Sequence, residues 1–164
     1  QQASAPNDTV GSIGRRGVDL CIFNKLSQPI TVTFDRQPGT QGDPTVVPGG
    51  WYCGFDPYAG FDPYVEGSIE GLTGETATFG AYNQLMSTPG VGATAFFPAG
   101  QTDRGCHSDL TLTEGQSRVL FDSGQTRYVA GRNADDDSWK YLSLTLEPSQ
   151  GLDSRCDRGQ FGWD

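Results

Sequence analysis

Two hexads that repeat almost residue for residue, Gly54-Phe55-Asp56-Pro57-Tyr58-Ala59 and Gly60-Phe61-Asp62-Pro63-Tyr64-Val65, set a carboxylate between two aromatic rings twice in succession. Pro57 and Pro63 fix their own φ and push Asp56 and Asp62 toward extended backbone. If polyproline II ran through both copies, Phe55, Tyr58, Phe61 and Tyr64 would share one edge, because that helix repeats every three residues. If each Asp-Pro opens a turn, the same rings make two stacked loops. In both cases the chemistry is display: rings with an apolar body and a polar tip, beside acids, suit a protein surface or a sugar face. The set expected to meet a partner is Phe55, Asp56, Tyr58, Phe61, Asp62, Tyr64 and the next acid, Glu66. The competing arrangement is a loop whose rings pack its own base. Trp51 and Phe55 share strand parity with Cys53 and are expected to face inward. Excising one hexad, Gly60 to Val65, is expected to leave the fold intact.

Other chemistries are less well supplied. His107 is the single histidine, so any Ser-His or Cys-His catalysis must use it, and no Gly-x-Ser-x-Gly elbow occurs. Glycoside hydrolysis needs two carboxyl groups roughly 5–10 Å apart. Glu66 and Glu70, four apart on one strand face, are candidates, with Glu114 in a turn as a third. Asn133, Asp135 and Asp137 begin like a calcium loop, but Ser138 stands where the turn glycine belongs and Leu144 where the bidentate Glu belongs. Asp56, Asp62 and Glu66 are a second weak oxygen set. No metal or cofactor is expected.

Four cysteines, Cys21, Cys53, Cys106 and Cys156, lack any Cys-x-x-Cys spacing and fit disulfides better than zinc. Three pairings are open; Cys21–Cys53 with Cys106–Cys156 is favoured. The polar, small-residue start at Gln1, without Met, is expected of a processed, secreted protein.

The elements that must position these groups are strands. Gly numbers 23 and the hydrophobic fraction is only 35%, while the chain holds two Lys, five Glu and one Met, so helix formers are scarce. Val18 to Asn24 and Ile30 to Phe34 alternate and are expected to form a first hairpin. Thr45 to Val47 and Trp51 to Phe55 flank a Pro-Gly-Gly turn; Val65 to Ile69, Thr76 to Tyr82 and Ala93 to Phe97 follow. Leu110, Leu112, Val119 and Phe121 flank Glu114-Gly115-Gln116 as another hairpin. Thr126 to Arg132 and Trp139 to Leu146 are the strongest strands, the last with Leu142, Leu144 and Leu146 buried and Tyr141, Ser143 and Thr145 wet. The fold class is therefore all-β: a β-sandwich or jelly roll of nine or ten short antiparallel strands with two disulfides, spanning residues 17–164 behind a flexible arm at 1–16.

The net charge is −9, and the stretch from Gln37 to Asp103 carries seven acids and no Lys or Arg. Such a field repels nucleic acid and attracts basic protein surfaces. No run approaches the ~20 apolar residues of a membrane span. The function these features support is a secreted, non-enzymatic binding or assembly module that contacts a partner protein through the repeat at 54–65. A carbohydrate-binding sandwich is the alternative, and an extracellular glycoside hydrolase a weaker one.

Overall fold

A computed structural model describes residues 17–36, 39–57, 63–83, 88–96, 105–135 and 139–151. Its strands are β1 (Gly17–Asn24), β2 (Ile30–Phe34), β3 (Gly39–Gly42), β4 (Thr45–Val46), β5 (Trp51–Asp56), β6 (Tyr64–Glu70), β7 (Thr76–Tyr82), β8 (Gly90–Phe96), β9 (Gly105–Thr111), β10 (Ser117–Asp122), β11 (Thr126–Arg132) and β12 (Trp139–Pro148). They form two six-stranded sheets, ordered β10-β11-β12-β1-β5-β3 and β4-β2-β6-β7-β8-β9. The sandwich expectation is met, with one departure: β1 and β12 run parallel, Leu20 opposite Leu142 and Ile22 opposite Leu144. The count also exceeds nine or ten: β3, whose residues are Gly-Thr-Gln-Gly, has no apolar side chain to mark it as a strand. Among the described residues no helix is long and apolar enough to cross a membrane.

One core lies between the sheets. Val18, Leu20, Ile22, Leu142, Leu144 and Leu146 from the first sheet meet Val32, Val65, Ile69, Phe79, Ala81 and Val91 from the second. Burying each large aliphatic side chain contributes roughly 1.5–3 kcal/mol, so this layer is the dominant stabilising term.

Three expected hairpins are instead crossings between sheets. β1 and β2, β4 and β5, and β9 and β10 each lie in different sheets. Alternation is the same whichever antiparallel neighbour a strand finds, so the short intervening turns misled. At the first crossing the buried Asn24 side chain takes the place of a hairpin ladder. Its Nδ2 donates to the carbonyls of Gln28 (2.9 Å) and Val46 (2.8 Å), and its Oδ1 accepts from Leu26 N (2.9 Å). The β11–β12 hairpin is as expected.

The outer face of the first sheet is also buried. Tyr141, Ser143 and Thr145 were expected to be wet, yet all three are buried alongside their leucine neighbours. They stand beside Asp19, Cys21 and Phe23 of β1 in a strand flanked on both sides. Cys21 and Cys53 face each other across the β1–β5 register and are disulfide-bonded, Cα–Cα 4.0 Å, with Phe23 and Trp51 packed against them. Trp51 thus belongs to this second, smaller cluster and not to the inter-sheet core where parity with Cys53 had suggested it would go. Phe55, of the same parity, lies over β3: a Cβ at Gly39 would come within 2.1 Å of its ring, so only glycine fits there. The favoured pairing of Cys21 with Cys53 holds; Cys156, and with it a bond to Cys106, lies outside the described residues, as does the arm at 1–16.

Candidate functional site

The repeat is not a free loop. Its first residues, Gly54, Phe55 and Asp56, close β5 in the first sheet, and its last, Tyr64 and Val65, open β6 in the second. It therefore carries the chain between the sheets, and Asp56 Oδ2 accepts from Tyr64 N (2.9 Å) to staple the two ends. Val65 is a core residue opposite Ala81. Excising Gly60 to Val65 would set Ala59 where the core residue Val65 stands and leave one residue between Asp56 and the tyrosine that opens β6, so the deletion bears on the fold as well as on display. Tyr58, Phe61 and Asp62 lie outside the described residues.

Tyr64 begins an outward row. In β6 the odd residues Val65, Gly67 and Ile69 are buried and the even ones, Tyr64, Glu66, Ser68 and Glu70, point away from the core. The same parity puts Thr78, Gly80 and Tyr82 of β7 on that face. The register then aligns one line straight across four strands: Glu66 opposite Gly80, Gly80 opposite Gly92, Gly92 opposite Asp109. Two adjacent glycines leave the middle of the line without side chains, and a carboxylate stands at each end. Above it Tyr64 is opposite Tyr82; below it Ser68 is opposite Thr78 and Thr78 opposite Thr94. The result is a trough of about 620 Å³ whose lining includes Asp35, Tyr64, Glu66, Tyr82, Thr94 and Asp109. That volume falls in the range of small-molecule sites.

A ring lies over the first of these glycines. A Cβ at Gly80 would come within 2.3 Å of the Tyr64 hydroxyl, so that ring leans across the floor. Burial, then the Glu66 charge and a hydrogen bond to Glu66, raise the Tyr64 phenol above its ordinary pKa, with Asp109 adding to the rise. Burial and then Asp109 raise Tyr82 as well. Both therefore remain neutral hydroxyl donors across the physiological range. Glu66 also meets the exposed guanidinium of Arg36 at 3.2 Å, on the trough's rim. Arg36 itself holds a left-handed φ of 65°, a conformation costing a non-glycine residue on the order of 1 kcal/mol.

Of the residues singled out in the sequence, Tyr64 and Glu66 stand together in this trough, Asp56 staples its border, and Phe55 faces elsewhere. The structure adds Asp35, Tyr82 and Asp109, which sequence reasoning missed. One signal was available: glycines at period two inside strands, Gly80 in β7 and Gly90 and Gly92 in β8, mark places where something approaches the backbone closely.

Of the candidate hydrolase acids, only Glu66 lines the trough. Glu66 and Glu70 share a face, but four residues of strand separate their Cα atoms by about 13 Å. Glu114 sits at the β9–β10 turn, accepting from Asp135 N (3.2 Å). The candidate calcium tip is likewise committed: Asp135 Oδ2 is bound by Arg132 (2.6 Å) and Lys140 (2.7 Å), so two cations already occupy the carboxylate a calcium ion would need. Asp137 is outside the described residues. Millimolar Ca²⁺ against EDTA should therefore move the melting temperature by no more than ~2 °C; a rise above ~5 °C would mean a binding free energy of order 1–3 kcal/mol and would show calcium held in this protein after all.

The fold recurs in a known protein. The structure is similar to that titled "Crystal structure of lipid binding protein Nakanori at 1.5A", with a TM-score of 0.58 over 87% of this chain and 75% of that one, at 12% sequence identity. So low an identity establishes a shared sandwich and nothing about shared chemistry. No family model and no curated protein sequence matches the chain. What the site does must be argued from its own groups. The trough offers two rings, hydroxyl donors and acceptors, and three carboxylates, which are means of recognition.

Proposed function

We propose that the chain is an extracellular, non-enzymatic binding module that holds a partner protein against the trough and the repeat running into its wall. One observation carries this: Tyr64 of the second hexad and Glu66 directly after it both line the trough, so the end of the display segment is part of the concave site. The acidic field supports it, since seven acids and no Lys or Arg lie between Gln37 and Asp103. That field steers basic surfaces toward the site and weakens with salt. A second reading, a lipid surface, is favoured by the fold shared with a protein titled as lipid binding. A carbohydrate on the same rings and hydroxyls is the third.

The test compares the wild type with a Tyr64→Ala, Tyr82→Ala double variant in three assays. These are pull-down from the protein's own culture medium at low and high salt, sedimentation with phosphatidylcholine and with phosphatidylserine vesicles, and fluorescence quenching by polysaccharides. The expected result is capture of a discrete protein at low salt, lost at least tenfold in the double variant. Sedimentation with vesicles, abolished in the variant, with no protein captured, would replace the protein partner by a lipid. Capture unchanged in the variant would remove the trough from the function.

A further inference from the structure

We infer that the trough is a receptor for the guanidinium group of an arginine side chain presented by the partner protein. This deepens the reading of the trough as the binding face and rests on it. The argument begins with the line Glu66, Gly80, Gly92, Asp109. At ~4.8 Å per strand the two acidic Cα atoms are about 14 Å apart, and Glu66 and Asp109 both line the trough. The Tyr64 phenol lies over Gly80, so a group entering between the two acids meets an aromatic hydroxyl there. Tyr64 and Tyr82 close one end with aromatic surface, which attracts a cation.

Charge complementarity selects the occupant. Asp35, Glu66 and Asp109 line the trough, and no Lys or Arg does so among the described residues. Arg36, bound to Glu66 at the rim with its side chain three-quarters exposed, shows that a guanidinium fits this carboxylate. It neutralises one acid of three, which leaves the surplus for an incoming cation. A zwitterionic lipid headgroup suits the site less well, because its phosphate would have to sit among the same carboxylates. Arginine is preferred over lysine because its planar fork can bridge two acceptors, where an ammonium is a hydrated point charge.

The test is a ¹H–¹⁵N titration of the full chain with blocked Gly-Arg-Gly, Gly-Lys-Gly and Gly-citrulline-Gly tripeptides and with phosphocholine. Citrulline has the shape of arginine without its charge. The arginine peptide should shift the amides of Tyr64, Gly80, Gly92 and Asp109, bind more tightly than the lysine peptide, and bind at least tenfold more tightly than the citrulline one. A Glu66→Gln, Asp109→Asn variant, with solvent-facing changes on a sheet whose core is untouched, should lose at least tenfold in affinity while keeping its melting temperature. Arg36→Ala should gain a few-fold, since it removes the resident competitor. Equal binding of the citrulline peptide, preference for phosphocholine, or shifts confined to other surfaces would each overturn the inference. If the arginine peptide fails but capture of the partner protein still depends on Tyr64 and Tyr82, the guanidinium is wrong and the binding face stands; if both fail, the face is wrong too.

Discussion

Replacing Cys21 and Cys53 together by alanine is expected to lower the melting temperature by roughly 8–15 °C, since the lost cross-link is worth about 3–4 kcal/mol in the chain-entropy model and a domain of this length loses a few degrees per kcal/mol. The bond spans a sequence separation of 32 and joins paired positions of two central strands. It is also the centre of the small cluster with Phe23 and Trp51, so the alanines remove packing as well as a constraint. Both sulfurs are in the disulfide, so alkylation of the unreduced protein should label neither cysteine. A double variant melting within ~2 °C of the wild type would show that β1 and β5 are held by their ladder and core alone, and that the cluster outside the sandwich contributes little.

That cluster illustrates how far the sequence could be read. Strand positions followed from alternation: Thr76 to Tyr82, Ile30 to Phe34 and Thr126 to Arg132 are strands over the residues expected. Alternation says which residues share a face. It does not say whether the opposite face is wet, nor which strand lies alongside. Trp51 and Phe55 share parity with Cys53, and inward was taken to mean the core between the sheets, whereas the first sheet also buries its outer face around Cys21, Cys53 and Tyr141. The parallel β1–β12 pair joins the first and last strands, and no local signal can report contact between residues so distant in sequence.

The site was half legible for a related reason. Tyr64 and Glu66 were found because the hexads repeat, which is a local pattern. Asp109 lies more than forty residues further on and reaches Glu66 only through the registers of β6, β7, β8 and β9. A line of residues across a sheet is a property of register, and register is set by core packing and turn geometry together. The glycines at its centre were visible but read as general turn chemistry, since the chain holds 23 of them.

Glu75→Ala is expected to cost about 1–3 kcal/mol, because it removes the acceptor of the buried Tyr128 hydroxyl and leaves the Ser123 hydroxyl only its longer bond to Thr126 O (3.2 Å). Glu75 ends the turn before β7 in the second sheet and is only 7% exposed. Its Oε1 accepts from the Ser123 hydroxyl (2.7 Å), in the β10–β11 turn, and its Oε2 from the Tyr128 hydroxyl (2.5 Å) of β11, both on the first sheet's side. The carboxylate therefore ties the sheets together at one end of the sandwich. Burial raises its pKa above the ordinary 4.5, and the hydrogen bonds from Ser123 and Tyr128 oppose that rise without cancelling it. Burial and then the Glu75 charge push the Tyr128 phenol well above 10, so it stays a donor. The pH consequence follows from the direction of the Glu75 shift. A carboxyl whose folded pKa exceeds its unfolded one binds its proton more tightly when folded, so its favourable contribution is complete below about 4.5 and is lost as pH rises through the folded value. Glu75→Gln removes that titration while keeping a carbonyl to accept from one hydroxyl and an amide to donate to the other. Unfolding free energies of wild type minus Glu75→Gln, measured in urea from pH 4 to 8, should therefore fall with rising pH and level off above the folded pKa. A flat difference would mean that the carboxylate is not desolvated in solution. A rising one would mean that its hydrogen bonds outweigh its burial, and Glu75→Ala should then be most damaging at neutral pH.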